Sequence, residues 1–79
     1  MADNPISNPY FKVFQSSNLH NAKYDPETKV LSVWFGNGSQ YDYSPVPVEV
    51  WSNLISASSA GQYFAQFIKP SYRSTKVII

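Results

Sequence analysis

Residues 29–43, KVLSVWFGNGSQYDY, constrain the fold more than any other stretch of this chain. Positions alternate on both sides of an Asn-Gly step, and a period of two is the mark of strands with one buried face. Leu31, Val33 and Phe35 share one face of the first run, and Val30, Ser32 and Trp34 share the other. In the second run Tyr41 and Tyr43 point one way while Gln40 and Asp42 point the other. Asn37-Gly38 predicts a hairpin turn in which both central residues take positive φ.

A third strand precedes this hairpin. Leu19 to Tyr24 reads as a core strand, though Asn18, His20 and Asn21 have poor β-propensity. Asp25-Pro26-Glu27-Thr28 is a turn: Pro26 presets φ, and the Asp25 carboxylate can accept from backbone ahead of it. From Pro47 the period changes. Val50, Trp51, Leu54 and Ile55 form a stripe at helical spacing, and Pro47 suits a helical first turn. A shorter helix follows, with Ser59 and Gln62 in a capping-box pattern, Phe64, Phe67 and Ile68 on its apolar side, and Pro70 as its stop.

The ends are less regular. Residues 1–9 are polar, with two Asn-Pro steps, and read as a loop or a disordered arm. Tyr10, Phe11, Val13 and Phe14 leave little polar surface in YFKVFQ, which predicts a buried strand or an adhesive edge that contacts another copy. Residues 71–79 end in Val-Ile-Ile, an added strand or a docking tail. The expected architecture is α+β: a three-stranded antiparallel meander with two short helices on one face. The arm 1–15 is expected to add an edge or exchanged strand to a domain of residues 16–79.

With 79 residues and no cysteine, the core must be thin and rest largely on aromatic side chains. A formal charge of +1 does not suit a dedicated duplex binder, although Lys69, Arg73 and Lys76 follow the last acid, Glu49. No apolar run approaches the roughly 20 residues of a membrane span, and the N-terminus lacks a secretory pattern. The expectation is a cytoplasmic chain with no membrane partner. His20 alone cannot build a zinc site, so neither metal nor cofactor is expected. Ser16, Ser17 and His20 have no orienting carboxylate nearby in sequence, and the five acids form no recurring acid–base pair. No catalytic residue is therefore assigned, and the chain is not expected to be an enzyme.

Tyr41 and Tyr43 are either a stacking platform or part of the core. The helices must cover one sheet face, and strand 39–43 offers only these tyrosines to that cover, which favours the core. Trp34 is then turned outward, where something should cover it: the arm, a base or a peptide. Lys23 and Lys29 lie close enough to add phosphate contacts.

SSNL (16–19), YDPETKVLSVWF (24–35), GSQYDYSPVP (38–47) and FAQFIKPSY (64–72) together resemble the KTSC domain, a module named for the C-terminus of some lysyl-tRNA synthetases. Ala57, Ser59, Gly61 and Phe64 match the family's Ala-x-Ser-x-Gly-x-x-Phe segment. The family also includes stand-alone bacterial and phage proteins. It carries no established activity, and the resemblance implies RNA binding only through the synthetase context.

Three functions remain in play. The first is a non-catalytic binding module for RNA or a nucleotide, using Trp34, Lys69, Tyr72, Arg73 and Lys76. The second is a homo-oligomeric accessory protein of the phage type, joined through Tyr10, Phe11, Val13 and Phe14, that sequesters a small nucleotide. The third is a protein–protein adaptor without a small ligand.

Overall fold

The computed structural model describes residues 10–15 and 18–78. Ser16 and Ser17, weighed above as a nucleophile, lie outside the described residues, as do residues 1–9 and Ile79. The elements run β1 (Phe11–Val13), β2 (Leu19–Asp25), β3 (Val30–Phe35), β4 (Gln40–Ser44), α1 (Val48–Ser56), α2 (Ala60–Tyr63) and β5 (Arg73–Val77). The helix of α2 continues directly into a π-helical stretch, Phe64–Ile68. All five strands form one antiparallel sheet in the order β1-β2-β3-β4-β5, and the helices pack on one side of it.

The expected three-stranded meander is therefore the centre of a five-stranded sheet. The C-terminal segment is not a loose tail: β5 pairs along β4, with Gln40 opposite Val77 and Ser44 opposite Arg73. The described part of the arm, residues 10–15, does not lie over Trp34. It extends the sheet at the edge of β2, with Phe11 opposite Lys23 and Val13 opposite Asn21. Alternation explains why. Tyr10 and Phe14 pack against the core of their own chain, which leaves Phe11 and Val13 on the other face, 44% and 53% exposed.

Period two delivers the core. Leu19, Ala22, Tyr24, Leu31, Val33 and Tyr43 are buried on the inner face, against Val46, Trp51, Leu54, Phe64 and Ile68. Tyr24 is the keystone. Its ring stacks on Trp51 with centroids 5.7 Å apart and planes 10° apart, and its hydroxyl donates to the Val46 carbonyl. The Val46 N–H in turn donates to the Lys29 carbonyl at 2.8 Å, so the Pro-rich link between β4 and α1 is pinned on both sides. The Ser44–Pro45 peptide within this link is cis. Burial, and after it the negative charge of Glu49, raises the pKa of Tyr24 above the ordinary tyrosine value.

One of the two turns of the meander departs from expectation in detail. In the β3–β4 hairpin only Gly38 has positive φ, at +92°, whereas two positive residues were expected. The Gly38 N–H donates to the Phe35 carbonyl at 3.0 Å, and the Phe35 N–H to the Ser39 carbonyl at 2.9 Å. That is a three-residue connection closed by a glycine bulge, the next most common hairpin after the two-residue form. Asn37 contributes its side chain rather than a left-handed backbone, accepting the Ser39 N–H at 3.0 Å.

In the β2–β3 turn the Asp25 carboxylate accepts from the Glu27 N–H at 2.9 Å and the Thr28 N–H at 3.4 Å. The Glu27 bond is the main cause of a lowered Asp25 pKa. The turn closes through Lys29, whose φ of +60° puts a residue with a Cβ in the left-handed region. That conformation costs about 1–2 kcal/mol for a side-chain-bearing residue. Lys29→Gly is expected to raise the unfolding free energy by about 1 kcal/mol, partly offset by the greater freedom of glycine in the unfolded chain. Urea denaturation measures it, and a loss of stability would show that the lysine stem contributes more than the strain.

The second helix also differs. The Ser59 hydroxyl accepts the Gln62 N–H at 3.4 Å, as the capping pattern predicts. Phe64 and Ile68 are buried, but Phe67 is 54% exposed and leans on Tyr63, with ring centroids 4.9 Å apart. The π-helical stretch is the reason. The Lys69 N–H reaches back five residues to the Phe64 carbonyl at 2.9 Å, and this wider turn rotates Phe67 out of the apolar stripe.

Candidate functional site

With both helices on the inner side, the outer face of the sheet is uncovered by any described element. Strand register fixes what stands on it. One row crosses all five strands: Val13, Asn21, Trp34, Gln40 and Val77. The next row is Phe11, Lys23, Ser32, Asp42 and Thr75. Beyond it lie Asp25 opposite Val30 and Ser44 opposite Arg73.

Trp34 thus occupies the middle strand of an open face and is half-buried by its neighbours. Together with Lys23, Asp25, Thr28, Val30, Ser32 and Gln40 it lines a shallow depression of about 380 Å³. Gln40 donates to the Asp42 carboxylate at 3.3 Å, which occupies part of that acid's hydrogen-bonding capacity. Asn21, beside Trp34, places its amide nitrogen 3.0 Å from His20 Nδ1, while its Oδ1 is enclosed without a partner among the described residues.

The tyrosine pair belongs to the inner side. Tyr43 is buried and meets Phe64 edge-on at 5.2 Å, and Tyr41 is half-buried against Phe35 at 5.6 Å. Burial, then the neighbouring Tyr41, raises the Tyr43 pKa.

The five residues proposed from the sequence as a binding set do not converge. Trp34 and Arg73 share the open face, on β3 and β5. Lys76 stands opposite Tyr41 on the helix side of the β5 edge, and Tyr72 is half-buried against the core. Lys69 ends the π-helical stretch, where it lines a groove between the β3–β4 hairpin and α2. Lys23, Gln40 and Asn21 join Trp34 instead. Alternation in sequence gave the face of Gln40, but the alignment of Lys23 and Gln40 with Trp34 needed the register. Among the described residues no helix is long and apolar enough to cross a membrane, and no group of three His, Asp or Glu could hold a metal ion.

Residues 15–72 match the KTSC domain. An uncharacterised protein of Stutzerimonas stutzeri is 45% identical over 58 residues, 73% of this chain and 82% of its own length. A lysine–tRNA ligase of Nostoc is 43% identical over 59 residues, which is 75% of this chain but 10% of the ligase. Among solved structures, a KTSC domain protein from Yersinia pestis superposes with a TM-score of 0.80 at 30% identity, over 86% of this chain and 96% of that one.

Proposed function

The chain belongs to the KTSC domain family, and we propose that in this member the uncovered sheet face is a non-catalytic stacking platform for single-stranded RNA. The observation that carries the reading is Trp34 on the middle strand of an open five-stranded face, with Lys23 diagonal to it. Base stacking on an exposed aromatic contributes about 1–3 kcal/mol and tolerates any base. Lys23 on β2 stands diagonally across from the ring, in the depression it shares with Asp25, and Arg73 lies on the same face further along β5, where a phosphate backbone laid across the sheet would meet it. Five strands at about 4.8 Å spacing span roughly 19 Å, room for about four nucleotides, the lower end of known single-strand footprints. The appended segment of the lysine–tRNA ligase relatives, proteins whose name includes tRNA, adds support from context.

Titrating a short oligouridylate into the protein while following tryptophan fluorescence tests this directly. Quenching is expected, with log K falling against log salt at a slope of about −1.4, since each of two neutralised phosphates contributes about −0.7 in a single strand. Absence of binding at low salt rejects the reading.

Arg73→Glu and Lys76→Glu separate face from edge. The first is expected to weaken binding and flatten the slope by about 0.7, and the second, on the opposite side of the same strand, to leave both nearly unchanged. Equal losses would put the RNA along the β5 edge instead.

The exposure of Phe11 and Val13 on the same face as Trp34 favours one second reading, in which that face joins two copies of the chain as in a homo-oligomeric accessory protein. A monomeric mass in RNA-free solution counts against it.

A further inference from the structure

We infer that the groove between the β3–β4 hairpin and α2 binds a second, small ligand: a planar aromatic ring bearing one phosphate or carboxylate. This site is on the helix side of the sheet and does not depend on the RNA reading. Its volume of about 580 Å³ falls within the range of small-molecule sites.

The floor is aromatic and braced. Phe35 and Phe64 meet edge-to-face at 5.6 Å, and each is held from behind by a tyrosine, Tyr41 or Tyr43. Phe35 is only half-buried by this packing and lines the groove with Leu19. One wall comes from Gly61 and Ala65, four residues apart on the same helical side, and their small size is what leaves the space open. The π-helical stretch then carries Lys69 to the rim.

Among the described residues lining the groove, Lys69 is the only charged side chain and none is an acid. A ring can pack on the floor in offset or edge contact while a single anionic group meets the ammonium. A neutral ring forgoes the charge, and a bare anion forgoes the floor.

The test is a titration of the isotope-labelled protein, followed by amide NMR, with adenosine 5′-monophosphate, benzoate and inorganic phosphate as separate probes. A ring-bearing anion is expected to shift the amides of Gly36, Asn37, Gly61 and Ala65, nearly saturating at about 10 mM for a Kd of about 1 mM. Inorganic phosphate is expected to bind at least about tenfold more weakly, because it lacks the ring contacts. Binding of the nucleotide alone identifies the phosphate class, and equal binding of benzoate extends the site to aromatic carboxylates.

Ala65→Phe, at an exposed helical position, should fill the groove and abolish these shifts while circular dichroism stays unchanged. Lys69→Gln should weaken the ring-bearing probe about tenfold, the loss of one charge-assisted contact. It carries the test should Ala65→Phe fail to fold. Trp34→Ala should leave this titration as it was, which keeps its outcome separate from that of RNA binding. The inference is overturned if neither ring-bearing anion shifts these amides, if phosphate alone matches the nucleotide, or if Lys69→Gln binds as well as the parent.

Discussion

Replacing Trp51 by alanine is expected to bring the unfolding free energy close to zero, leaving about half of the protein unfolded at 25 °C. Trp51 is 2% exposed and lies flat on Tyr24, so it is the contact through which α1 grips the sheet. Truncating a buried tryptophan costs about 3–5 kcal/mol, as the lost transfer energy and the cavity add. A single core in a chain of this size supplies no more than about 3–5 kcal/mol in total. The two figures are equal, and no disulfide makes up the difference. Trp51→Phe keeps an aromatic face against Tyr24 and should retain a folded baseline at reduced stability. Far-UV circular dichroism with urea titration reads both variants. A folded Trp51→Ala with a loss under about 1 kcal/mol would mean that Leu54 and Val46 alone seat the helix.

The other tryptophan is expected to behave in the opposite way. Trp34→Ala should lower oligouridylate affinity by about 5- to 150-fold, the equivalent of one base stack of 1–3 kcal/mol. Its effect on stability should stay below about 1 kcal/mol, because Trp34 contributes cross-strand contacts with Asn21 and Gln40 rather than core burial. Fluorescence anisotropy of labelled RNA measures the first quantity and urea denaturation the second. Unchanged affinity would remove stacking from the proposal. A stability loss as large as that of Trp51→Ala would make Trp34 a structural residue whose exposure has no bearing on ligands.

The contrast between these two rings was legible in the sequence, because it depends only on local period. Leu31, Val33 and Phe35 alternate with Val30, Ser32 and Trp34, and helices cover only one of the two faces. The helical spacing of Trp51 and Leu54 placed them inside by the same logic. What period alone does not determine is pairing between distant segments. Residues 73–77 are polar at most positions, and their strand exists because β4 offers a free edge on the far side of the helices. That pairing decides that Arg73 and Lys76, three residues apart, stand on opposite faces. The π-helical stretch is a second such case: nothing in FAQFIK distinguishes it from an ordinary helical turn, yet it exposes Phe67 and brings Lys69 to the groove. Trp34 accordingly stands on the open face, while the cations of the candidate binding set are spread over two sides of the molecule.

The two ends of the sheet bear on aggregation. Both are short strands with no further strand beside them among the described residues, and an open edge is a template on which further chains can add. Each carries cations. β1 is three residues long with Lys12 at its centre, so a two-fold antiparallel pairing of this edge with its own copy sets Lys12 against Lys12, a repulsive arrangement. β5 shows Arg73 on one face and Lys76 on the other, so an incoming strand meets positive charge on either side. Growth into fibres by edge-to-edge addition is thereby discouraged.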